Sequence, residues 1–318
     1  MEHPLEELLN ELRECQTLTD SVRLHHLSAL EAAEIERVRE AWPELPADVR
    51  CQIAARLVEI AEADFELDFC YIFRLGLEDE HAKVRESSIQ GLWEDEDVRL
   101  IPLLITRLTE EESSDVRAAA ATSLGRFLLL GELEKIRRRP FNRVYEALLA
   151  AHLEESETVE VRRRALESLA YVGREEITEL IQLAYHDPNE SMRVSAVFAM
   201  GRSSDQRWAK YVKQELLNPS PEFRYEAARA CGELQLGEAV IDLEELADDV
   251  DSAVQEATLW SLGQIGGNRA REILQRYVNS DDEATSAAAE AALNELEFLC
   301  GDLGDLFSRL ADTPDEVW

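Results

Sequence analysis

The chain has 318 residues, of which 45% are apolar, and its 67 acidic side chains outnumber 33 basic ones to give a formal net charge of −34. Because so acidic a surface repels phosphate backbones and anionic bilayers, we expect neither nucleic-acid binding nor membrane binding. No apolar run is long enough to cross a bilayer, no secretory signal follows Met1, and the five cysteines lack CxxC spacing, which favours a reduced, cytoplasmic protein.

An amphipathic helix is predicted at the N-terminus. Leu5, Leu8, Leu9 and Leu12 recur every three or four residues, which places them on one face of a helix. A further helix is predicted to begin near residues 19–21, where Thr, Asp and Ser side chains can act as caps. We assign residues 1–45 to N-terminal capping helices.

A recurring helix start marks the middle of the chain. Its arginine falls at Arg50, Arg85, Arg117 and Arg162, at steps of 35, 32 and 45 residues. The longest step predicts an insertion at about 131–142. That stretch holds a basic run, residues 135–140, which is interpreted either as docking on an acidic neighbouring repeat or as an exposed contact loop.

From Arg162 onward the step becomes a regular 31 residues. The equivalent positions hold Arg162, Arg193, Arg224, Gln255 and Ser286. Positions three residues further are small, those seven further are apolar, and those eight further include Gly201, Gly232 and Gly263. Self-similarity at this period is typical of a solenoid, in which each unit packs against its neighbours.

Each period contains two amphipathic helices separated by turn-forming residues such as Asp187-Pro188-Asn189. The pattern predicts an all-α, right-handed α-solenoid of about eight helical hairpins over residues 46–298, preceded by the capping helix. Glycines at 173, 201, 237 and 266 are expected to end second helices in the left-handed conformation. Residues 299–318 fall outside the period and are predicted to form an acidic C-terminal tail.

The strings Asp115-Val116-Arg117-Ala118 and Glu160-Val161-Arg162-Arg163 resemble HEAT repeats, especially the short kind known from phycobilisome lyases. The resemblance covers residues 46–298. It implies a ladder in which a carboxylate of one repeat pairs with the arginine of a neighbour, and the pairs Asp79–Arg85 and Asp187–Arg193 match its pattern. Gln255 and Ser286 interrupt the ladder, so the last two junctions are expected to depend on apolar packing.

The resemblance implies several kinds of function, since HEAT arrays serve as scaffolds, adaptors, regulatory subunits and, rarely, enzymes. None of the six histidines precedes a glutamate, which argues against the iron site of the similar deoxyhypusine hydroxylases. No catalytic constellation, cofactor motif or metal motif is recognisable. We therefore expect a non-catalytic protein-binding scaffold or adaptor without a cofactor. The alternative is an assembly factor or lyase-type enzyme acting on a client protein, as in bilin lyases.

The exposed side of the second helices is the predicted binding surface. Two interpretations of it stay open: a contact ridge for a partner, or side chains that pack between adjacent helices. The expected partner is another protein or peptide, with a basic one favoured by the charge, and the chain itself is expected to be a monomer. The candidate partner-binding residues are Arg126, Arg164, Tyr171, Phe198, Arg202, Arg229 and Trp260.

Overall fold

The computed structural model describes residues 4–14 and 22–311, with side chains for 4–14 and 23–298. Within these ranges every regular element is a helix. The chain divides into two compact units, Met1–Leu169 and Ala170–Trp318. Each unit is described separately below.

The first unit contains nine α-helices among its described residues, together with short 3-10 turns at Val22–Leu27 and Trp42–Glu44. The helices are α1 (Pro4–Glu14), α2 (Ala32–Ala41), α3 (Ala47–Ala63), α4 (Cys70–Gly76), α5 (Ala82–Gly91), α6 (Leu100–Glu110), α7 (Ser114–Glu132), α8 (Arg138–Leu153) and α9 (Val159–Leu169). Leu5, Leu8, Leu9 and Leu12 are buried, as the N-terminal pattern predicts.

The second unit repeats the hairpin with shorter connections. Its helices are α10 (Glu175–Tyr185), α11 (Glu190–Arg202), α12 (Ala209–Glu215), α13 (Pro221–Glu233), α14 (Val240–Leu246), α15 (Ser252–Ile265), α16 (Gly267–Tyr277) and α17 (Glu283–Ala311). A 3-10 turn leads into α12 and another into α14. Residues 312–318, the end of the predicted tail, lie outside the described residues.

Helices of the same kind pack side by side within each unit. The second helices α3, α5, α7 and α9 contact one another in sequence, and so do α11, α13, α15 and α17. Apart from α3, each second helix also packs against the first helix of its own hairpin. The predicted α-solenoid is therefore confirmed. Because each helix meets its neighbours through one apolar stripe, residues such as Val161, Leu169 and Leu262 are fully buried.

The long step between Arg117 and Arg162 is taken up by longer helices. The predicted insertion at 131–142 occupies the end of α7, a connection at 133–137 and the beginning of α8. The proposed domain boundaries at 45 and 298 stay predictions.

The glycine prediction was wrong for most of its positions. A positive φ is found at Gly266, but Gly201 lies inside α11, and neither Gly173 nor Gly237 has a positive φ. The left-handed residues that follow α7, α11 and α13 are instead Glu134, Ser204 and Gln235. A left-handed cap can form without glycine, at a cost of about 1–2 kcal/mol per residue, so a non-glycine residue with positive φ follows each of these three helices.

The recurring arginine forms the predicted ladder. Its Nη1 group donates to two carbonyls of its own turn, as in Arg224, which bonds to the oxygens of Asn218 at 2.9 Å and Pro219 at 3.0 Å. The same guanidinium then reaches the next repeat, where its Nε lies 2.7 Å from Oδ2 of Asp249. Equivalent ion pairs are Arg50–Asp79 at 2.8 Å, Arg85–Glu111 at 2.6 Å and Arg117–Glu157 at 2.7 Å.

At two ladder positions, the ion pair to the next repeat is replaced by another contact or is missing. Arg193 keeps its two carbonyl bonds, but its guanidinium lies over the ring of Phe223 at 5.9 Å. Gln255 keeps only one bond to its own turn, from Nε2 to the oxygen of Asp249 at 2.6 Å. A neutral amide supplies no ion pair to the following repeat, so that junction depends on the packing of α15 against α17.

Candidate protein-binding surface

Five predicted contact residues of the second unit form a stacked row with Glu233, and we call these six residues the ridge. The row begins at Arg202, at the C-terminal end of α11. Its guanidinium lies over the ring of Phe198 at 5.2 Å and over that of Tyr171 at 5.7 Å. Phe198 and Arg202 are four residues apart, so they share one face of α11.

The ridge continues through Glu233 on α13. Its Oε1 lies 3.4 Å from Nη1 of Arg202 and 3.8 Å from Nη2 of Arg229. Burial raises the pKa of the Glu233 carboxyl, although both arginines act in the opposite direction. Glu233 therefore links the cations of two neighbouring second helices.

Trp260 on α15 completes the ridge. The guanidinium of Arg229 lies over its ring at 4.3 Å, which is close for a cation–π contact. The ring also approaches Gly232, where a Cβ atom would lie 2.9 Å from Cζ3 of Trp260. Phe198, Arg202, Arg229 and Trp260 are all half-buried. Part of each side chain is thus buried between helices, and the rest is open to solvent.

The two predicted contact residues of the first unit have different surroundings. Arg164 forms ion pairs within its own helix, with Glu160 at 3.0 Å and Glu167 at 2.9 Å. Arg126 is half-buried over the ring of Phe127 at 4.7 Å, and its Nε and Nη2 have no hydrogen-bond partner. This burial lowers the pKa of Arg126 to about 10.

The first unit also contains an exposed aromatic pair that was not predicted from the sequence. Phe65 follows α3 and Trp93 follows α5, and their rings meet edge to face with centroids 6.2 Å apart. Their exposed fractions are 71% and 44%. A signal was available, because each ring lies among acidic residues beyond its helix, where apolar periodicity gives it no core position.

Among the described residues of the first unit, a cysteine–histidine pair invites a catalytic interpretation. Sγ of Cys51 lies 3.2 Å from Nδ1 of His81, and that nitrogen also accepts the backbone N–H of Lys83 at 3.3 Å. Because Nδ1 is thus an acceptor, the thiol is the donor. Burial raises the pKa of Cys51, which keeps it protonated and weakly nucleophilic at neutral pH. We therefore assign His81 the structural role of capping the N-terminal end of α5.

Metal and membrane features can be judged over the described ranges. No group of three or more His, Cys, Asp or Glu side chains in residues 4–14 and 23–298 is arranged to hold a metal ion. Nor does any helix in the described part of the chain have the length and apolar content needed to span a bilayer.

Comparisons with known proteins agree with the repeat geometry. The family model of HEAT repeats matches residues 209–294, from α12 into α17. An uncharacterized phycocyanin operon protein Z from Pseudanabaena tenuis is 23% identical over 163 residues, which are 48% of this chain and 80% of that protein. The family match therefore shows HEAT repeats at residues 209–294, and the ion pairs and helix packing of the first unit follow the same repeat geometry.

Two solved structures are similar at low identity. The complex of CpcE and CpcF of phycocyanin lyase from Nostoc has 18% identity and a TM-score of 0.44, covering 63% of this chain and 78% of that chain. A Kap95:Nup1 complex has 13% identity and a TM-score of 0.48, covering 92% of this chain and 46% of that chain.

Proposed function

We propose that this HEAT-repeat protein is a non-catalytic scaffold or adaptor that binds another protein through the ridge of its second unit. The observation that supports this most is the row Tyr171–Arg202–Phe198 and Arg229–Trp260, joined by Glu233. Aromatic and arginine side chains are the types enriched at binding hot spots. As part of the same proposal, the chain acts in the cytoplasm as a monomer without a cofactor.

The contacts within the ridge favour binding because they fix its side chains beforehand. Arg229 is held by the ring of Trp260 and by Glu233, so little rotamer freedom remains to be lost when a partner arrives. Packed helices lie about 8–10 Å apart, so Phe198 and Trp260, two second helices apart, are separated by roughly 20 Å. A short helix or an extended peptide spans that distance.

The charge of the whole chain favours a basic partner. A formal charge of −34 accelerates the approach of positively charged proteins, and this effect weakens as salt is added. Within the ridge, however, two guanidinium groups face one carboxylate. We therefore assign the acidic surface to the encounter and the rings of the ridge to the final contact.

Affinity capture from the native cell lysate tests the proposal. The tagged wild type is compared with the double variant Phe198→Ala/Trp260→Ala and with the control Leu183→Ala/Ile241→Ala, which removes exposed apolar side chains from first helices of the same unit. We expect a protein captured by the wild type and the control but lost from the ridge variant. Equal capture by all three proteins would contradict a binding role of the ridge.

The second candidate is an assembly factor or lyase-type enzyme acting on a client protein. It is favoured by the similarity to a phycocyanin operon protein, over 48% of this chain. The same capture experiment distinguishes it. A client that leaves the complex with a new covalent group, or a coloured molecule that copurifies, would support this candidate over a scaffold.

A further inference from the structure

The connection between α7 and α8 carries cations that have no partner in the described chain. All five are exposed, and none takes part in an ion pair or a side-chain hydrogen bond: Lys135, Arg137, Arg138, Arg139 and Arg143. We call these five residues the basic cluster. Glu132 and Glu134 lie in the same stretch, so residues 132–143 have a net charge of about +3 in a chain of net charge −34.

This arrangement does not help the protein fold. Other arginines of the first unit pair with carboxylates, as Arg74 does with Asp95 at 2.6 Å. In the basic cluster, by contrast, like charges are adjacent, and three of them flank the start of α8, whose first turn holds no acidic residue. The N-terminal end of a helix carries partial positive charge and disfavours cations. The docking of this run on an acidic neighbouring repeat, one of the two interpretations from sequence, is not found.

The basic cluster is held in place by its flanking residues. The N–H of Lys135 donates to the oxygen of Leu130 at 2.8 Å, and that of Glu134 donates to Gly131 at 3.0 Å, which closes α7. Phe141 then packs against Gly131, where a Cβ atom would lie 2.1 Å from a carbon of its ring. The connection is therefore fixed at both ends, and its cations are presented on a rigid turn.

Apolar surface adjoins the basic cluster. Leu133 is 55% exposed and Leu129 is 38% exposed, at the end of α7. Exposed leucines beside unpaired guanidinium groups suit a polypeptide that carries both carboxylates and apolar side chains. A nucleic-acid duplex would leave the leucines uncovered, and its backbone would extend past the short basic cluster onto the acidic surface, whereas a short acidic segment can stay within the cluster.

We propose that the basic cluster docks an acidic segment of a partner protein, through guanidinium–carboxylate pairs and contact with Leu133. Arginine suits this role because its planar group can bind a carboxylate with two hydrogen bonds. The site lies in the first unit and does not depend on the ridge of the second. The two binding proposals are therefore tested independently.

The probe for the test is a labelled peptide of glutamate and leucine residues, measured by fluorescence anisotropy at about 50 and 150 mM salt, a range over which charge screening increases. The variant is Arg137→Gln/Arg138→Gln/Arg139→Gln. The matched control is Lys83→Gln/Lys210→Gln/Arg271→Gln, which changes the net charge equally at scattered cations outside any ion pair. We expect the dissociation constant of the cluster variant to rise about tenfold and that of the control to change less than twofold, since charged contacts are local at these ionic strengths.

Three results would overturn the proposal. Equal weakening in both triple variants would mean that the peptide responds only to total charge. Undetectable binding to the wild type at millimolar peptide would remove the site. Saturable binding of duplex DNA that is lost in the cluster variant, with peptide binding unaffected, would assign the basic cluster to phosphate instead. Circular dichroism of each variant checks that it is folded.

Discussion

Gly232 shows why the 31-residue period requires a small residue eight positions after the arginine. A Cβ atom at 232 would lie 2.9 Å from the Cα of Ser261 on the next second helix, and equally close to the ring of Trp260. The sequence identifies this position as small, but only the structure shows that it sets the approach of α13 to α15. One methyl group therefore separates a tolerated packing from a strained one.

Replacing this glycine tests that explanation. Gly232→Ala should lower the free energy of unfolding by about 1–3 kcal/mol, because backbone atoms of α15 must move to admit the methyl group. Gly237→Ala is the matched control, since no atom lies within 4 Å of its added Cβ, and it should change stability by less than about 0.5 kcal/mol. Urea denaturation of both variants measures the difference. Equal effects would contradict the close approach.

At the scale of elements, the ladder arginines fix the turn of one hairpin to the turn of the next. Arg224 lowers the pKa of Asp249, Arg85 lowers that of Glu111, and Arg117 lowers that of Glu157. A carboxyl whose pKa is lowered by folding binds fewer protons in the folded chain than in the unfolded one. The stability that these ion pairs contribute is therefore complete above the ordinary pKa values of 3.8 and 4.5 and is lost as pH falls below them.

Arg224→Gln should reveal this dependence. At pH 7 we expect a loss of about 2 kcal/mol or more in unfolding free energy, because Asp249 is left buried without its partner. The loss should shrink as pH falls below 3.8, because Asp249 is then increasingly protonated in the unfolded chain and the ion pair contributes less to stability. Arg207→Gln is the control, since its pair with Glu175 is largely exposed and should contribute much less to stability than the pair of Arg224 with Asp249. A loss of unfolding free energy that does not change with pH would contradict a stabilising ion pair between Arg224 and Asp249.

The apolar stripe of the second helices gives another prediction. Leu262 is fully buried, so Leu262→Ala should cost about 2–5 kcal/mol of unfolding free energy. Leu183 is exposed on a first helix of the same unit, and Leu183→Ala should cost under about 0.5 kcal/mol. Thermal or urea unfolding compares the two. A small loss at Leu262 would mean that the stripe was assigned to the wrong helix face.

Most of the hairpin architecture could be predicted because its signals are local and repeated. Apolar periodicity marked both helices, and the arginine with its turn carboxylate marked several of the junctions. The helix ends were harder, since Ser204 and Gln235 adopt a conformation that was expected of glycine. The stacking partners in the ridge could not be predicted, because Arg202 reaches back to Tyr171 whereas Arg229 reaches forward to Trp260, at equal sequence separations. Phe65 and Trp93 were not predicted because they lie in turns, where the apolar periodicity of the helices does not extend.

At the scale of the whole molecule, the chain combines a strongly negative surface with two local exceptions of different chemistry. The ridge of the second unit offers rings held by guanidinium groups, and the basic cluster of the first unit offers unpaired cations beside leucines. An adaptor needs separate surfaces for separate clients, and these two can be tested independently. Long-range attraction by the net charge should bring basic proteins to the chain at low salt whichever surface they finally contact.

The most direct test of the ridge as a binding surface uses Trp260→Ala. The affinity of a captured partner for this variant is measured together with the stability of the variant. If the ridge is the binding surface, the dissociation constant should rise at least about thirtyfold, equivalent to about 2 kcal/mol, while the melting temperature falls by only a few degrees. The opposite result would contradict the account: a variant that melts much earlier but binds its partner with unchanged affinity when folded. Trp260 would then serve only the packing of α13 against α15.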